Sequence, residues 1–382
     1  MIITSYFPPE IGAASNRIFH LAEGLKTDYD VSVVTPLPNY PTGKIFDDYK
    51  GKFRSKTTEN GITINRLWIY ASVSKNKFLR LIAMLSYSFS LLWFFIWNKI
   101  PDKVIVQSPP LLVSFTCMFF LRSRKRQLIL NVSDLWPSAG LELGALKEGF
   151  AYSMLKKLEA FNYKNADLIL GQSNEILAHV KTISTTPKLF LYRNFPEIEF
   201  PQLTESRSSN GKIKLVYAGL LGVAQGIYKL CNEIDYSTIE FHIYGSGAEE
   251  TAIKELIALR SDLPLYFHGR VDRTELHQVL LNYDLTIIPL LNRIYGSVPS
   301  KIFEYAKLGL PMLYFGGGEG EDVIDKNALG WVAKEGDYKS LNTILRSISK
   351  ADLNYNLKSA IQTTARLHFD FEKQLASLKQ VL

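Results

Sequence analysis

The segment Val298–Pro311, VPSKIFEYAKLGLP, gathers residue types that suit a diphosphate. Pro299 and Ser300 open a helix, and Lys301 places an ammonium in its first turn beside the free N–H groups found there. Glu304 lies three residues beyond Lys301 on the same face, where it can accept hydrogen bonds from ribose hydroxyls. The competing reading is a capped helix with an i,i+3 ion pair. Asp134, in Asp134-Leu135-Trp136-Pro137, is a candidate acid/base or a ligand of a substrate hydroxyl. A helix N-cap formed with Pro137 is the alternative there.

Glycines supply the other half of the chemistry, because they let a ligand approach the backbone. Gly12, in Phe7–Arg17 (FPPEIGAASNR), precedes a helix start that offers N–H groups to an anion; simple packing is the alternative. Glu10 and Arg17 in this segment are candidate ligands of an acceptor or a sugar. Tyr217–Gly226 (YAGLLGVAQG) repeats the arrangement with Gly219, Gly222 and Gly226, and Gly245-Ser246-Gly247 follows the next apolar run. The spacing is not GxGxxG, and no acidic residue closes the next strand, so a dinucleotide dehydrogenase is disfavoured. Asp28-Tyr29-Asp30 precedes a strand and reads as a turn, and His268 is the one histidine beside a ligand loop.

These loops require elements to hold them. In the first half, Met1–Tyr6, Val31–Pro36, Ile62–Tyr70, Lys103–Gln107, Gln127–Val132, Leu168–Gly171 and Lys188–Tyr192 read as strands. Helices at Ala14–Lys26 and Phe150–Asn165 alternate with them. Asn194–Gly211 turns to Pro, Glu, Ser and Asn and reads as a linker. The alternation restarts with Lys212–Ala218, Glu240–Tyr244, Pro264–Phe267, Leu285–Pro289 and Pro311–Phe315. Two doubly wound α/β domains follow, with ligands expected at the carboxyl ends of their strands.

The 382 residues carry a net charge of +7, and its distribution is uneven. Residues 1–200 hold 24 Lys+Arg against 16 Asp+Glu, and residues 201–382 hold 20 against 21. Residues 51–130 are the extreme, with 13 basic residues against Glu59 and Asp102. That window contains the uncharged run Leu81–Trp97, flanked by Lys75, Lys77, Arg80 and Lys99. It also contains Leu111–Leu121, followed by Arg122, Arg124, Lys125 and Arg126. Three readings stay open: a membrane span, helices buried on the sheet, or a surface helix set partly into an anionic headgroup layer. No nucleic-acid motif accompanies the basic residues, so nucleic acid is not an expected partner. Cys117 and Cys231 are the only cysteines, which excludes a disulfide framework and a Cys-ligated zinc, and suits a reducing compartment. Met1–Tyr6 has no basic region leading into a long apolar one, so a cleaved signal peptide is not expected.

In order, FPPEIGAASNR, PNYPTGKIFDDY at Pro38–Tyr49, SPPL at Ser108–Leu111, DLWP, YAGLLGVAQG, YGSG, FHGRV and VPSKIFEYAKLGLP span nearly the whole chain. Together they resemble the family-4 retaining glycosyltransferases of the GT-B fold, in the subgroup for bacterial surface polysaccharides that includes N-acetyl-L-fucosamine transferases. The resemblance implies two Rossmann-like domains facing across a cleft: residues 1–195 with a returning helix at 366–382, a linker at 196–211, and a donor domain at 212–365. It implies a nucleotide-sugar donor, with UDP expected. Gly222, Gly245, Gly247, Arg270 and Val271 would line the nucleotide, Ser300 and Lys301 the diphosphate, and Glu304 the ribose. Gly12 would approach the transferred sugar or the phosphates, while Asp134 and Lys301 would serve catalysis. No metal or cofactor is expected. The implied acceptor is a polyprenyl-diphosphate-linked saccharide at the cytoplasmic face of a membrane, with residues 75–126 against anionic lipid.

Two positions depart from the family pattern. Gly296 stands where the first of two glutamates would contact the donor sugar, and Ala224-Gln225 replace a basic pair. Phosphate neutralisation would then rest on Lys301. The alternatives are an inactive glycosyltransferase-like partner in a membrane assembly, or a GT-B nucleotide-sugar epimerase.

Overall fold

Apolar, β-branched runs bounded by turn residues form parallel strands, and the amphipathic stretches between them cover the sheets. The computed structural model describes residues 1–74, 76–142, 144–203, 211–223, 225–291 and 294–382. The chain divides into two units. The first holds Met1–Asn194, Ile294–Ser297 and Glu372–Leu382; the second holds Phe195–Arg293 and Val298–Phe371.

The first unit runs β1 (Ile2–Ile3), α1 (Ala13–Leu25), β2 (Ser32–Pro36), β3 (Arg54–Glu59), β4 (Ile62–Leu67), α2 (Lys77–Trp97), β5 (Lys103–Ser108) and α3 (Leu111–Phe120). It continues with β6 (Gln127–Val132), α4 (Ser138–Glu142), α5 (Phe150–Asn165), β7 (Leu168–Gly171), α6 (Asn174–Ile183) and β8 (Lys188–Leu191). The sheet order is β3-β4-β2-β1-β5-β6-β7-β8. Every pair is parallel except β3–β4. Strand β3 has no apolar alternation and is not anticipated by pattern. It forms because Asn60-Gly61, both at positive φ, close a two-residue hairpin onto β4. Strand order reverses between β1 and β5, so the loops after these strands border the ligand crevice of this unit.

Helix α2 carries two apolar stripes. Tyr87, Leu91 and Phe94 are buried in the core with Val104, Val106, Cys117 and Met118. On the other side Phe89, Trp93, Ile96 and Trp97 are about 70% exposed, at 72%, 67%, 71% and 68%. Among the described residues no helix is long and apolar enough to cross a membrane. Helix α2 is therefore part core and part surface, neither a span nor wholly buried on the sheet. Lys75 lies outside the described residues.

The second unit runs β9 (Ile213–Leu220), α7 (Ile227–Glu233), β10 (Ile239–Ser246), α8 (Glu250–Leu259), β11 (Leu265–Gly269), α9 (Arg273–Leu280) and β12 (Leu285–Pro289). It continues with α10 (Lys301–Lys307), β13 (Met312–Phe315), α11 (Glu319–Lys326), β14 (Gly330–Ala333), α12 (Tyr338–Ser347) and α13 (Tyr355–His368). Its strands are all parallel, in the order β11-β10-β9-β12-β13-β14, with the reversal between β9 and β12. The returning helix expected at 366–382 is two helices. Arg366 ends within α13, and α14 (Phe371–Val381) carries the chain back into the first unit, where Gln374 bonds both backbone groups of Arg193.

The expected linker is also revised. Residues 204–210 lie outside the described residues, but its described start is strapped to the second unit. Lys307 Nζ donates to the Pro196 carbonyl at 2.6 Å, Gln362 donates to Pro201, and the Arg366 guanidinium lies 3.9 Å from the Phe200 ring centre. Burial lowers the pKa of Lys307, an effect partly offset by Asp370 and Glu197.

Candidate active site

In the second unit the site is built at the reversal of strand order. Helix α10 follows β12 and sets Lys301 beside the end of its neighbour β9. The ammonium lies 4.7 Å from the Tyr217 ring centre, and a Cβ on Gly219 would overlap its nitrogen. Only glycine at position 219 admits the lysine there. One strand further, a Cβ on Gly245 would overlap the Gly219 carbonyl oxygen, so the two loops touch through their backbones. Tyr217 is buried and ties off the turn by donating to the Leu220 carbonyl at 2.6 Å.

Lys301 forms no ion pair among the described residues, and the i,i+3 pair with Glu304 of the competing reading is not made. Burial pushes its pKa down to about 8, with Glu304 pulling the other way. Glu304 instead meets His277 of α9, Oε1 to Nε2 at 2.6 Å, and both are partly buried. Ser300 caps α10 through its backbone carbonyl, which accepts from Phe303 and Glu304, and its hydroxyl makes no cap bond. Gly222 accepts from the Gln225 and Gly226 N–H groups in the turn after β9. Gly247 packs on the Leu221 carbonyl, and Arg270 is exposed just beyond β11. Ala224 lies outside the described residues; Gln225 Oε1 is buried without a hydrogen-bond partner. His268 is engaged elsewhere, with His242 Nδ1 at 2.9 Å from its Nε2.

In the first unit, Gly12 begins α1, and Arg17 and Asp134 are both withdrawn from solvent. Helix α4 starts only at Ser138, and the Asp134 carboxylate makes no hydrogen bond or ion pair among the described residues, so the N-cap reading is not realised. Burial raises its pKa and the nearby Arg17 cation partly offsets this. Burial brings Arg17 down to about 10, while Asp134 and Tyr192 act in the opposite sense. Arg17 Nε is buried without a partner. A buried carboxylate and guanidinium that do not satisfy each other are poised for a polar ligand.

Glu10 is corrected. It is 2% exposed and its oxygens accept from Asn39 N at 2.8 Å, Tyr40 N at 2.9 Å and Phe7 N at 3.4 Å. Burial raises its pKa, opposed by those N–H groups and by Arg66. Its carboxylate therefore braces two loops and is not presented to an acceptor.

Gly296 is placed in the first unit, outside the expected donor domain. Its N–H donates to Glu175 at 3.0 Å and its carbonyl accepts from Ser173 Oγ at 2.7 Å, while Tyr295 N donates to Glu142. Its φ is +84°, and a Cβ would lie 2.9 Å from Ile176 Cγ1 and 3.1 Å from Leu135 Cδ1. A glutamate at this position is strained by the positive φ and crowded by Ile176 and Leu135. Sequence reasoning missed Tyr217 and His277 as site residues. The signal for Tyr217 was an aromatic on the last turnward residues of β9, two before Gly219. His277 had none, because only the fold brings α9 to α10.

Residues 211–350, most of the second unit, match the family described as glycosyl transferases group 1. Among curated proteins, the chain is 25% identical over 301 residues to "Probable glycosyltransferase WbjE" of Pseudomonas aeruginosa, covering 74% of this chain and 75% of the relative. It is 26% identical over 142 residues to the amylovoran biosynthesis glycosyltransferase AmsK of Erwinia amylovora, covering 36% of this chain and 34% of that one. Among solved structures, sucrose-phosphate synthase of Thermosynechococcus elongatus superposes with a TM-score of 0.73 at 13% identity, over 100% of this chain and 97% of the other. Anabaena HepE in complex with UDP and glucose gives 0.65 at 14% identity, over 100% and 98%.

Proposed function

We propose that the chain acts as a group 1 glycosyltransferase of the GT-B fold, moving a sugar, with retention, from a UDP-sugar to a polyprenyl-diphosphate-linked saccharide in surface-polysaccharide assembly. The observation that carries this reading is the Lys301 ammonium lodged against Gly219 and Tyr217 with no carboxylate paired to it. A cation held in a backbone cradle without a counter-ion suits a diphosphate that arrives with the donor and gains charge as it leaves. Glu304, oriented by His277, takes the ribose hydroxyls. The nucleotide runs past Gly222, Gly245, Gly247 and Arg270, and Ser300 meets the diphosphate.

In the first unit, Asp134 holds an acceptor hydroxyl or serves in proton transfer, and Arg17 neutralises charge beside it. Gly12 lets the transferred sugar approach the backbone. No covalent nucleophile is proposed, since a front-face transfer needs none, and no metal is required. The donor UDP agrees with the UDP held by HepE, and the polysaccharide role agrees with the amylovoran assignment of AmsK. An N-acetylated deoxyamino sugar is the first donor sugar to try, on the resemblance to N-acetyl-L-fucosamine transferases.

The exposed stripe of α2, with Phe119 and Phe120 of α3, rests on an anionic membrane surface. Helix α2 packs on α3, and Lys99, Arg122, Arg124 and Lys125 lie exposed at their C-terminal ends. Aromatic groups at the interface with flanking cations are the composition such a surface retains. The deciding experiment is a screen of UDP-sugars against a lipid-diphosphate-saccharide acceptor, read by mass spectrometry. A product heavier by one sugar residue is expected, and no product from any donor would refute the transfer.

A further inference from the structure

The PNYPTG segment is built with more care than a surface connection needs. Leu37 N donates to the Leu67 carbonyl of β4 at 2.8 Å, and Gly43 N and Phe46 N close turns onto Asn39 and Pro38. Glu10, buried, holds the backbone N–H groups of both Asn39 and Tyr40. Fully buried Arg66 donates to the Pro8 carbonyl and so fixes the other side of the brace. All of this ordering converges on one side chain. The Tyr40 ring meets Tyr6 edge to face, centroids 5.3 Å apart at 71°, and its Cε1 lies 3.5 Å from where a Cβ of Gly12 would be. Yet Tyr40 is 44% exposed.

From this geometry we infer that Tyr40 is the stacking platform for the sugar ring of the acceptor, and so a residue that sets acceptor specificity. The inference rests on the reading of the first unit as the acceptor side. An aromatic face carries negative π density that attracts the polarised axial C–H groups of a pyranose. A ring already fixed by Tyr6, Gly12 and the Glu10 brace costs little conformational entropy to use. Beside it, Gly12 carries no side chain to cover the ring edge. The groups given to the nucleotide and diphosphate, Lys301, Gly219 and Gly245, belong to the second unit, and Gly12, given to the transferred sugar, adjoins Tyr40; Tyr40 is thereby assigned to the acceptor ring that receives that sugar and not to the nucleotide.

The test compares Tyr40→Ala and Tyr40→Phe with the wild type. Glu10 holds the backbone of residue 40, so neither substitution removes the brace, and thermal melting checks that both variants fold. Saturation-transfer NMR with a panel of methyl pyranosides, run without donor, reads the platform directly. Transfer to the C–H protons of one ring face is expected in the wild type and Tyr40→Phe, and its loss in Tyr40→Ala. With an acceptor identified by the donor screen, Tyr40→Ala is expected to raise acceptor KM about three- to ten-fold, with donor KM unchanged and Tyr40→Phe near wild type. Equal binding by Tyr40→Ala, absence of binding in the wild type, or a change confined to donor KM would overturn the inference. If no donor gives product but pyranoside binding still depends on Tyr40, the platform stands and the transfer reading falls.

Discussion

Lys301 should take up a proton when the donor binds. Its pKa lies at about 8 in the free protein because burial disfavours the ammonium. A diphosphate beside it favours the charged form and returns the pKa toward the ordinary lysine range. The sign follows: the ammonium binds the anion, so affinity is full below pH 8 and is lost as the pH rises above it. The phosphates of UDP, with a last pKa near 6, stay fully ionised over this range and add no slope. The linkage then requires about half a proton taken up per UDP at pH 8, and about nine-tenths at pH 9. Affinity relative to pH 7 should fall about two-fold at pH 8 and about ten-fold at pH 9. Isothermal titration calorimetry of UDP in buffers of different ionisation enthalpy measures both quantities. Lys301→Met should abolish the uptake and flatten the affinity between pH 7 and 9. Wild-type binding without proton uptake at pH 9 would refute the role given to this ammonium.

Three further outcomes are expected. Gly245→Ala forces a methyl onto the Gly219 carbonyl and should cost about 1–3 kcal/mol in the second unit, together with most UDP affinity, measured by melting and calorimetry. Gly296→Glu, which would rebuild the family's first glutamate, should instead lower stability by about 1–3 kcal/mol, because the backbone is at φ +84° and Ile176 and Leu135 fill the space; a stable, more active variant would contradict the packing. Reversing Arg122, Arg124 and Lys125 to glutamate should weaken binding to phosphatidylglycerol vesicles by about 1 kcal/mol per residue at low salt, and Trp93→Ser with Trp97→Ser should weaken it at any salt; co-sedimentation distinguishes the two contributions.

Much of the fold was legible because it follows from short-range pattern. Phe150–Asn165, Leu168–Gly171 and Gln127–Val132 were bounded correctly by apolar periodicity and the turn residues beside them. Strand β3 was not, because its six residues are polar and only the Asn60-Gly61 hairpin and its partner β4 hold it. Strand β14, Gly330–Ala333, was passed over for its brevity. The break at Phe369 between α13 and α14 was also hidden, since amphipathic sequence continues through it.

The site divides in the same way. Residue types and loop positions alone marked Lys301, Glu304, Gly245 and Asp134, because a strand end followed by Gly, Lys or Asp is readable along the chain. Tertiary structure decided what each one does. Glu10 and Glu304 are both carboxylates in ligand loops, but one is consumed by three backbone N–H groups and the other is turned by His277 from a different helix. Lys301 and Glu304 stand at ion-pair spacing in sequence, but the Gly219 cradle draws the ammonium away. Even the missing glutamate at 296 has its physical reason only in three dimensions, where a positive φ strains any side chain and Leu135 and Ile176 crowd its Cβ. Sequence states which groups are available along one strand or helix. Which of them keep an unsatisfied charge depends on neighbours distant in the chain, and that remainder is what a substrate can bind.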